Sequence, residues 1–188
     1  MTARPSSSRV VRVWALGALC VVAALVGFLL SRPVDQTATN VDSPLLGTAV
    51  PALSATTLDG GTRVALGSLR GHVVVLSFFA SWCGPCQQEA PNFVQFAWDE
   101  HRRHARVDVL GVVYDDTVSA ARSFGTHYGL TFPVLDDASG AIASAFDVLG
   151  PPVTVVVGPK GRVAAILDGP VTTAQLEHAT KAAQGTAA

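Results

Sequence analysis

Val73-Val74-Val75-Leu76-Ser77-Phe78-Phe79-Ala80-Ser81-Trp82-Cys83-Gly84-Pro85-Cys86-Gln87-Gln88-Glu89-Ala90-Pro91 is the stretch on which the fold turns. Residues 72–80 form a run of Val, Leu and Phe long enough for a strand buried on both faces. From Gly84 onward, Ala90, Phe93, Phe96 and Ala97 fall at helical spacing. A central strand therefore feeds directly into a helix, and the turn between them carries Cys83 and Cys86. Pro91, inside that helix, removes the hydrogen bond to the carbonyl of Gln87 and is expected to bend the axis there.

Outward from this core, residues 52–57 and 62–65 flank Asp59-Gly60-Gly61 and predict a short hairpin with a Gly-rich turn. Residues 106–113 are again β-branched and apolar. Residues 116–128 predict a helix capped by Asp115 or Asp116, and residues 139–146 a short helix. Residues 153–157 and 162–167 form a closing hairpin around Gly158-Pro159-Lys160-Gly161. A last helix follows, capped by Thr172 or Thr173 and running to about residue 184. This order predicts an α/β domain over residues 48–184, with a central mixed sheet flanked by helices, parallel in one half and antiparallel in the other. Residues 185–188 read as a fraying tail.

Ahead of the domain, residues 13–30 are 18 consecutive positions without a charge. As a helix they would span about 27 Å, against a hydrocarbon core of about 30 Å. Arg4, Arg9 and Arg12 precede the segment and only Arg32 follows closely. By the positive-inside rule this predicts a transmembrane signal anchor at 13–30 with residues 1–12 cytoplasmic and the domain outside the cytoplasm. A cleavable signal peptide is the rival, but residues 31–40 hold no A-x-A-like site. Cys20 reads as an apolar anchor residue, since Leu19 stands where a lipoprotein site wants a small side chain. Residues 31–47, polar and turn-rich with Pro33, Ser43, Pro44 and Gly47, read as an extracytoplasmic tether.

The 188 residues are 49% apolar and 14% charged, which suits a buried core rather than disorder. A net charge of -1 without a long Lys or Arg run leaves no footprint for nucleic acid. Three cysteines are too few for a disulfide framework. Structural zinc needs about four ligands, and no second C-x-x-C exists; His101 and His104 lie in a charged stretch that reads as a solvated helix face. No metal and no cofactor are expected. For redox exchange the spacing has a direct cause. Residues three apart at a helix start share a face, and the backbone N–H groups there stabilise a thiolate on the first sulfur. Cys83 is the expected nucleophile, and Cys86, one turn inside, the thiol that resolves a mixed disulfide.

With Trp82-Cys83-Gly84-Pro85-Cys86 after the apolar strand, the chain resembles the thioredoxin superfamily over residues 47–184. It is most similar to the membrane-tethered extracytoplasmic branch of TlpA, ResA and CcmG-like proteins. The resemblance extends to Cys86-Gln87-Gln88-Glu89-Ala90-Pro91 and to Pro152-Val153-Thr154 before a Val-rich strand. It implies a thioredoxin fold with an inserted βα-type unit, supplied by residues 118–146. It also implies a thiol-disulfide oxidoreductase that reduces disulfides of partner proteins, as in cytochrome c maturation, drawing electrons from a membrane thiol carrier. Pro152 matches the proline that the superfamily holds in cis beside the active pair, bordering a substrate groove with Trp82, Gly84, Pro85 and Pro151. Pro151 departs from the pattern, because it has no N–H to offer a bound peptide. Glu89 matches an acidic residue that tunes the thiols, while Ser77 stands where thioredoxin carries a buried Asp. Trp82 reads as a packing lid beside the sulfur. The same pair could serve an oxidase or isomerase. A metal-binding or metallochaperone module would need a third soft ligand near Cys83, and the sequence offers none.

Overall fold

The computed structural model describes residues 7–30 and 37–185 of the chain, which separates into two units, Met1–Asp35 and Gln36–Ala188. The first holds helix α1, Ser7–Leu30. Its described side chains, residues 14–26, include the exposed Trp14, Leu16, Leu19, Val22 and Leu25, and Cys20 is exposed as well. Among the described residues no helix is long and apolar enough to cross a membrane, so the transmembrane element expected at 13–30 is not part of the observed fold. The cytoplasmic segment expected at 1–12 lies outside the described residues at positions 1–6, as do tether residues 31–36 and tail residues 186–188.

In the second unit the chain runs β1 (Thr39–Asn40), β2 (Ser54–Thr56), β3 (Arg63–Ala65), β4 (Val73–Phe79), α2 (Gly84–Arg102), β5 (Val107–Val113) and α3 (Val118–Tyr128). It continues through β6 (Val134–Leu135), α4 (Ala141–Ala145), β7 (Val153–Val157), β8 (Val163–Asp168) and α5 (Thr173–Gly185). The main sheet has the order β1-β8-β7-β4-β5-β6, and β2-β3 forms a separate ribbon. β4 pairs parallel with β5 and antiparallel with β7, so the two halves read from the sequence meet on this strand. All seven β4 residues are buried, as expected for a β-branched run covered on both faces.

Side chains alternate across β4. Val74, Leu76 and Phe78 pack with Leu110, Val112 and Val155 on one face, and Val73 and Val75 with Phe93, Phe96 and Leu176 on the other. Each fully buried Phe of these layers contributes about 1.5–3 kcal/mol. At the C-terminal end of the strand, Phe79 stacks on Phe124 of α3 with centroids 4.9 Å apart. Gly111 makes that possible, since a Cβ there would lie 3.0 Å from the Phe79 ring and 3.1 Å from Val134.

Three boundaries differ from those read in the sequence. The tether was expected to reach residue 47, but Thr39 and Asn40 pair with Asp168 and Leu167, and the Val41, Gly47 and Val50 N–H groups bond to Ile166, Val163 and Gly161. An edge strand pairs through its backbone and needs no side-chain pattern, which is why a polar segment joins the sheet. α3 is capped by Thr117, whose hydroxyl accepts the Ala120 N–H, and Asp115 and Asp116 are used elsewhere. β6 follows Pro133 and is two residues long, too short to show periodicity.

Candidate active site

Cys83 is the N-cap of α2, in extended conformation, with Gly84 and Pro85 opening the helix behind it. Pro85 fits because its missing N–H belongs to the first turn, where no intrahelical partner exists. The Cys86 N–H points at Cys83 Sγ, at 3.1 Å. The two sulfurs form a disulfide, with Cα atoms 5.2 Å apart. Both cysteines are buried, at 4% relative exposure for Cys83 and 1% for Cys86.

The turn before the pair is pinned from α3's approach. Asp116 Oδ2 accepts the Ser81 N–H at 2.7 Å, Trp82 Nε1 donates to the Asp115 carbonyl at 3.1 Å, and Gln87 Nε2 donates to the Ser81 carbonyl at 2.9 Å. Trp82 is itself 58% exposed and open to a partner, rather than packed as a closed lid. Asp115, with φ 41, turns its backbone sharply enough to present that carbonyl. These two aspartates were read only as helix caps. Their adjacency as a polar pair straight after an apolar strand was the available signal.

The Pro151-Pro152 bond is cis, as the resemblance implied for Pro152. Phe78 pairs with Val153, so Pro152 continues the register alongside the end of β4, where the chain leaves for the Cys83 turn. Pro152 is buried and its carbonyl accepts the Gly169 N–H at 3.0 Å, whereas Pro151 is half-buried and Leu149 stands 93% exposed.

Glu89 lies one turn beyond Cys86 and is 2% exposed. Oε2 accepts the Val171 N–H at 2.9 Å, and Asn92 Nδ2 holds the carbonyl of the same residue at 2.9 Å. Burial pushes the Glu89 carboxyl up to about 8, against which the Val171 N–H works. A cavity of about 10 Å³ is lined by Glu89, Cys86, Ser77 and apolar residues that include Phe79 and Phe124. Among the described residues no group of three or more His, Cys, Asp and Glu side chains is placed to hold a metal ion, and His101 and His104 are exposed.

A C-x-x-C disulfide at a helix N-terminus, beside a cis-proline and at the carboxyl end of a central strand, defines the thioredoxin class of fold and site. The chain belongs to the AhpC/TSA family, whose model matches residues 46–166. It is 31% identical over 112 residues to the thiol-disulfide oxidoreductase ResA of Bacillus subtilis (strain 168), covering 60% of this chain and 62% of that protein. Among solved structures it is similar to MTB DsbF in its mixed oxidized and reduced forms, with 34% identity and a TM-score of 0.65, over 72% of this chain and 99% of that one. A secreted Mycobacterium tuberculosis disulfide oxidoreductase homologous to E. coli DsbE is 30% identical with a TM-score of 0.60, over 70% of this chain and 95% of that one.

Proposed function

We propose that the protein is a thiol-disulfide oxidoreductase that reduces disulfides of partner proteins outside the cytoplasm. The observation that carries this is the Cys83–Cys86 pair at the N-terminus of α2, with the Cys86 N–H directed at Cys83 Sγ. A helix N-terminus favours negative charge there, which suits a thiolate on the capping cysteine once the pair is reduced and makes it the attacking group. Cys83 thiolate attacks a partner disulfide, forming a mixed disulfide and releasing one partner thiolate. Cys86 then gives its proton to Glu89 and attacks Cys83 Sγ; the mixed bond breaks and the second partner thiolate leaves. Two electrons pass to the partner and the Cys83–Cys86 disulfide remains.

Trp82, Gly84, Pro85, Pro151 and Pro152 border the partner's path, and a membrane thiol carrier restores the dithiol. Apocytochrome c is the proposed substrate class, by analogy with the tethered branch that the motifs resemble. The uncharged stretch at 13–30 with Arg4, Arg9 and Arg12 before it supports an anchor with the domain outside. An impermeant thiol reagent applied to intact cells, after mild reduction, should label Cys83; protection until lysis would overturn that placement. Equilibration of the protein against a glutathione series tests direction. A pair that stays oxidised in glutathione buffers marks a reductant, and one that the same buffers readily reduce would make the protein an oxidase.

A further inference from the structure

Thr154 is fully buried, and among the described residues its Oγ1 is the one enclosed side-chain oxygen or nitrogen without a hydrogen-bond partner. Leaving a hydroxyl unpaired in such a place is costly, and a Val would fill the same volume without that cost. The strand register shows where the hydroxyl stands. Thr154 of β7 is directly opposite Ser77 of β4. Directly opposed residues project to the same face with Cβ atoms about 4.5–5.5 Å apart, within reach of one hydroxyl from the other. Ser77 is itself 4% exposed and lines the cavity it shares with Cys86 and Glu89.

Glu89 reaches across the same face. From α2 it lines that cavity together with Ser77, and its Oε2 accepts the N–H of Val171, which follows β8. β7, with Thr154, lies between β4 and β8 in the sheet. Ser77 and Glu89 thus line one cavity, Thr154 stands opposite Ser77 in the strand register, and the Glu89 carboxyl accepts the Val171 N–H.

We propose that Thr154 is a positioning residue of the exchange reaction: when Glu89 is charged, the Thr154 hydroxyl donates to Ser77, whose hydroxyl donates to the carboxylate and fixes it to receive the Cys86 proton. The inference rests on the thiol-exchange reading above. In the resolving step the proton leaves Cys86 Sγ for Glu89, and the electron pair left on that sulfur forms the bond to Cys83 Sγ. The mixed disulfide breaks and its pair departs on the partner's sulfur. A neutral Glu89 needs few donors. An ionised one, out of water, needs several. The oxidised protein, with the carboxyl pushed up to about 8, is the state in which the Thr154 hydroxyl waits without a partner. No other titratable group enters the balance at this spot. From β4, α3 and residues 130–132 the cavity receives Ser77, Phe79, Phe124, Leu130 and Phe132, and Cys86 is the other ionisable group on its walls.

The test mixes the reduced full-length protein with a chromogenic aromatic disulfide across a pH series. The first equivalent of coloured thiol reports attack by Cys83, and the second reports resolution by Cys86. Thr154→Val should leave the first phase as in the wild type. It should move the pH midpoint of the second upward by about one unit, making resolution about tenfold slower below that midpoint. Ser77→Ala should do the same, and Thr154→Ser should restore the original profile. Oxidised Thr154→Val should melt at or above the wild-type temperature, since it loses only an unpaired hydroxyl. A second phase in Thr154→Val or Ser77→Ala that superimposes on the wild type overturns the proposal, as does a Thr154→Ser protein shifted as far as Thr154→Val. Absence of the first phase in the wild type overturns the exchange reading instead.

Discussion

Glu89 Oε2 accepts the backbone N–H of Val171, 82 residues further along the chain, at 2.9 Å. Through this bond and the one from Asn92 to the Val171 carbonyl, α2 grips the segment between β8 and α5. Two residues earlier Gly169 holds the carbonyl of Pro152. The helix that carries the cysteines and the turn that borders them are thus joined through three consecutive residues of a distant loop.

Glu89→Gln should change how stability depends on pH. The carboxyl titrates near 4.5 in the unfolded chain and about 8 in the folded one. Between those values the folded state holds a proton on this group that the unfolded chain has lost, so its contribution to stability is fully present below about pH 4.5 and is lost as pH rises through about 8. The loss is on the order of 5 kcal/mol at most. Denaturant unfolding of the oxidised protein at several pH values in that interval checks this: the Gln variant should show a flatter profile and exceed the wild type at the alkaline end. Parallel profiles would contradict the raised carboxyl.

Exchange should divide cleanly between the two sulfurs. Cys83→Ser should abolish disulfide reductase activity, while Cys86→Ala should accumulate as a mixed disulfide visible on a non-reducing gel. Full activity in Cys83→Ser, with nothing trapped by Cys86→Ala, would reverse the assignment.

Asp116→Ala removes the acceptor of both the Ser81 N–H and the Thr117 N–H. The half-buried Ser81 N–H loses its charged partner, at a cost of about 1–3 kcal/mol. The denaturation midpoint should fall accordingly, and partner exchange should slow because the turn ahead of Cys83 is no longer pinned. An unchanged midpoint would mean that water replaces the carboxylate without loss.

Pro151→Thr adds a backbone donor beside the proposed groove and leaves both sulfurs untouched. Extended peptides should then bind more tightly by about one hydrogen bond, 0.5–1.5 kcal/mol. Turnover of a mixed-disulfide peptide is the measurement, and weaker engagement would place this residue's N–H away from the partner.

The frame of the fold was legible wherever one element declares itself in a continuous run. β4 is a stretch of buried Val, Leu and Phe, α2 repeats Ala90, Phe93 and Phe96, and the β7–β8 hairpin is marked by its Gly-Pro-Lys-Gly turn. β1 was not legible, because a two-residue edge strand is chosen by the backbone groups of Leu167 and Asp168 and not by its own side chains. The site divides in the same way. Cys83, Cys86, Pro152 and Glu89 announce themselves by spacing and resemblance. Asp116 under Ser81, Val171 against Glu89 and Thr154 beside Ser77 are relations between residues about 35, 82 and 77 positions apart, which no local period encodes. Tertiary pairing alone brings them together.

Gly111 touches neither sulfur, yet the space it leaves is filled by the Phe79 ring, and Phe79 forms part of the wall around Cys86. A single added methyl at this position would press on Phe79 and Val134 from a strand that carries no chemistry. A mutational survey scored only by loss of turnover would therefore place Gly111 beside the cysteines as if it reacted. A survey scored by folding would return it to the class of silent architectural positions on which catalysis depends.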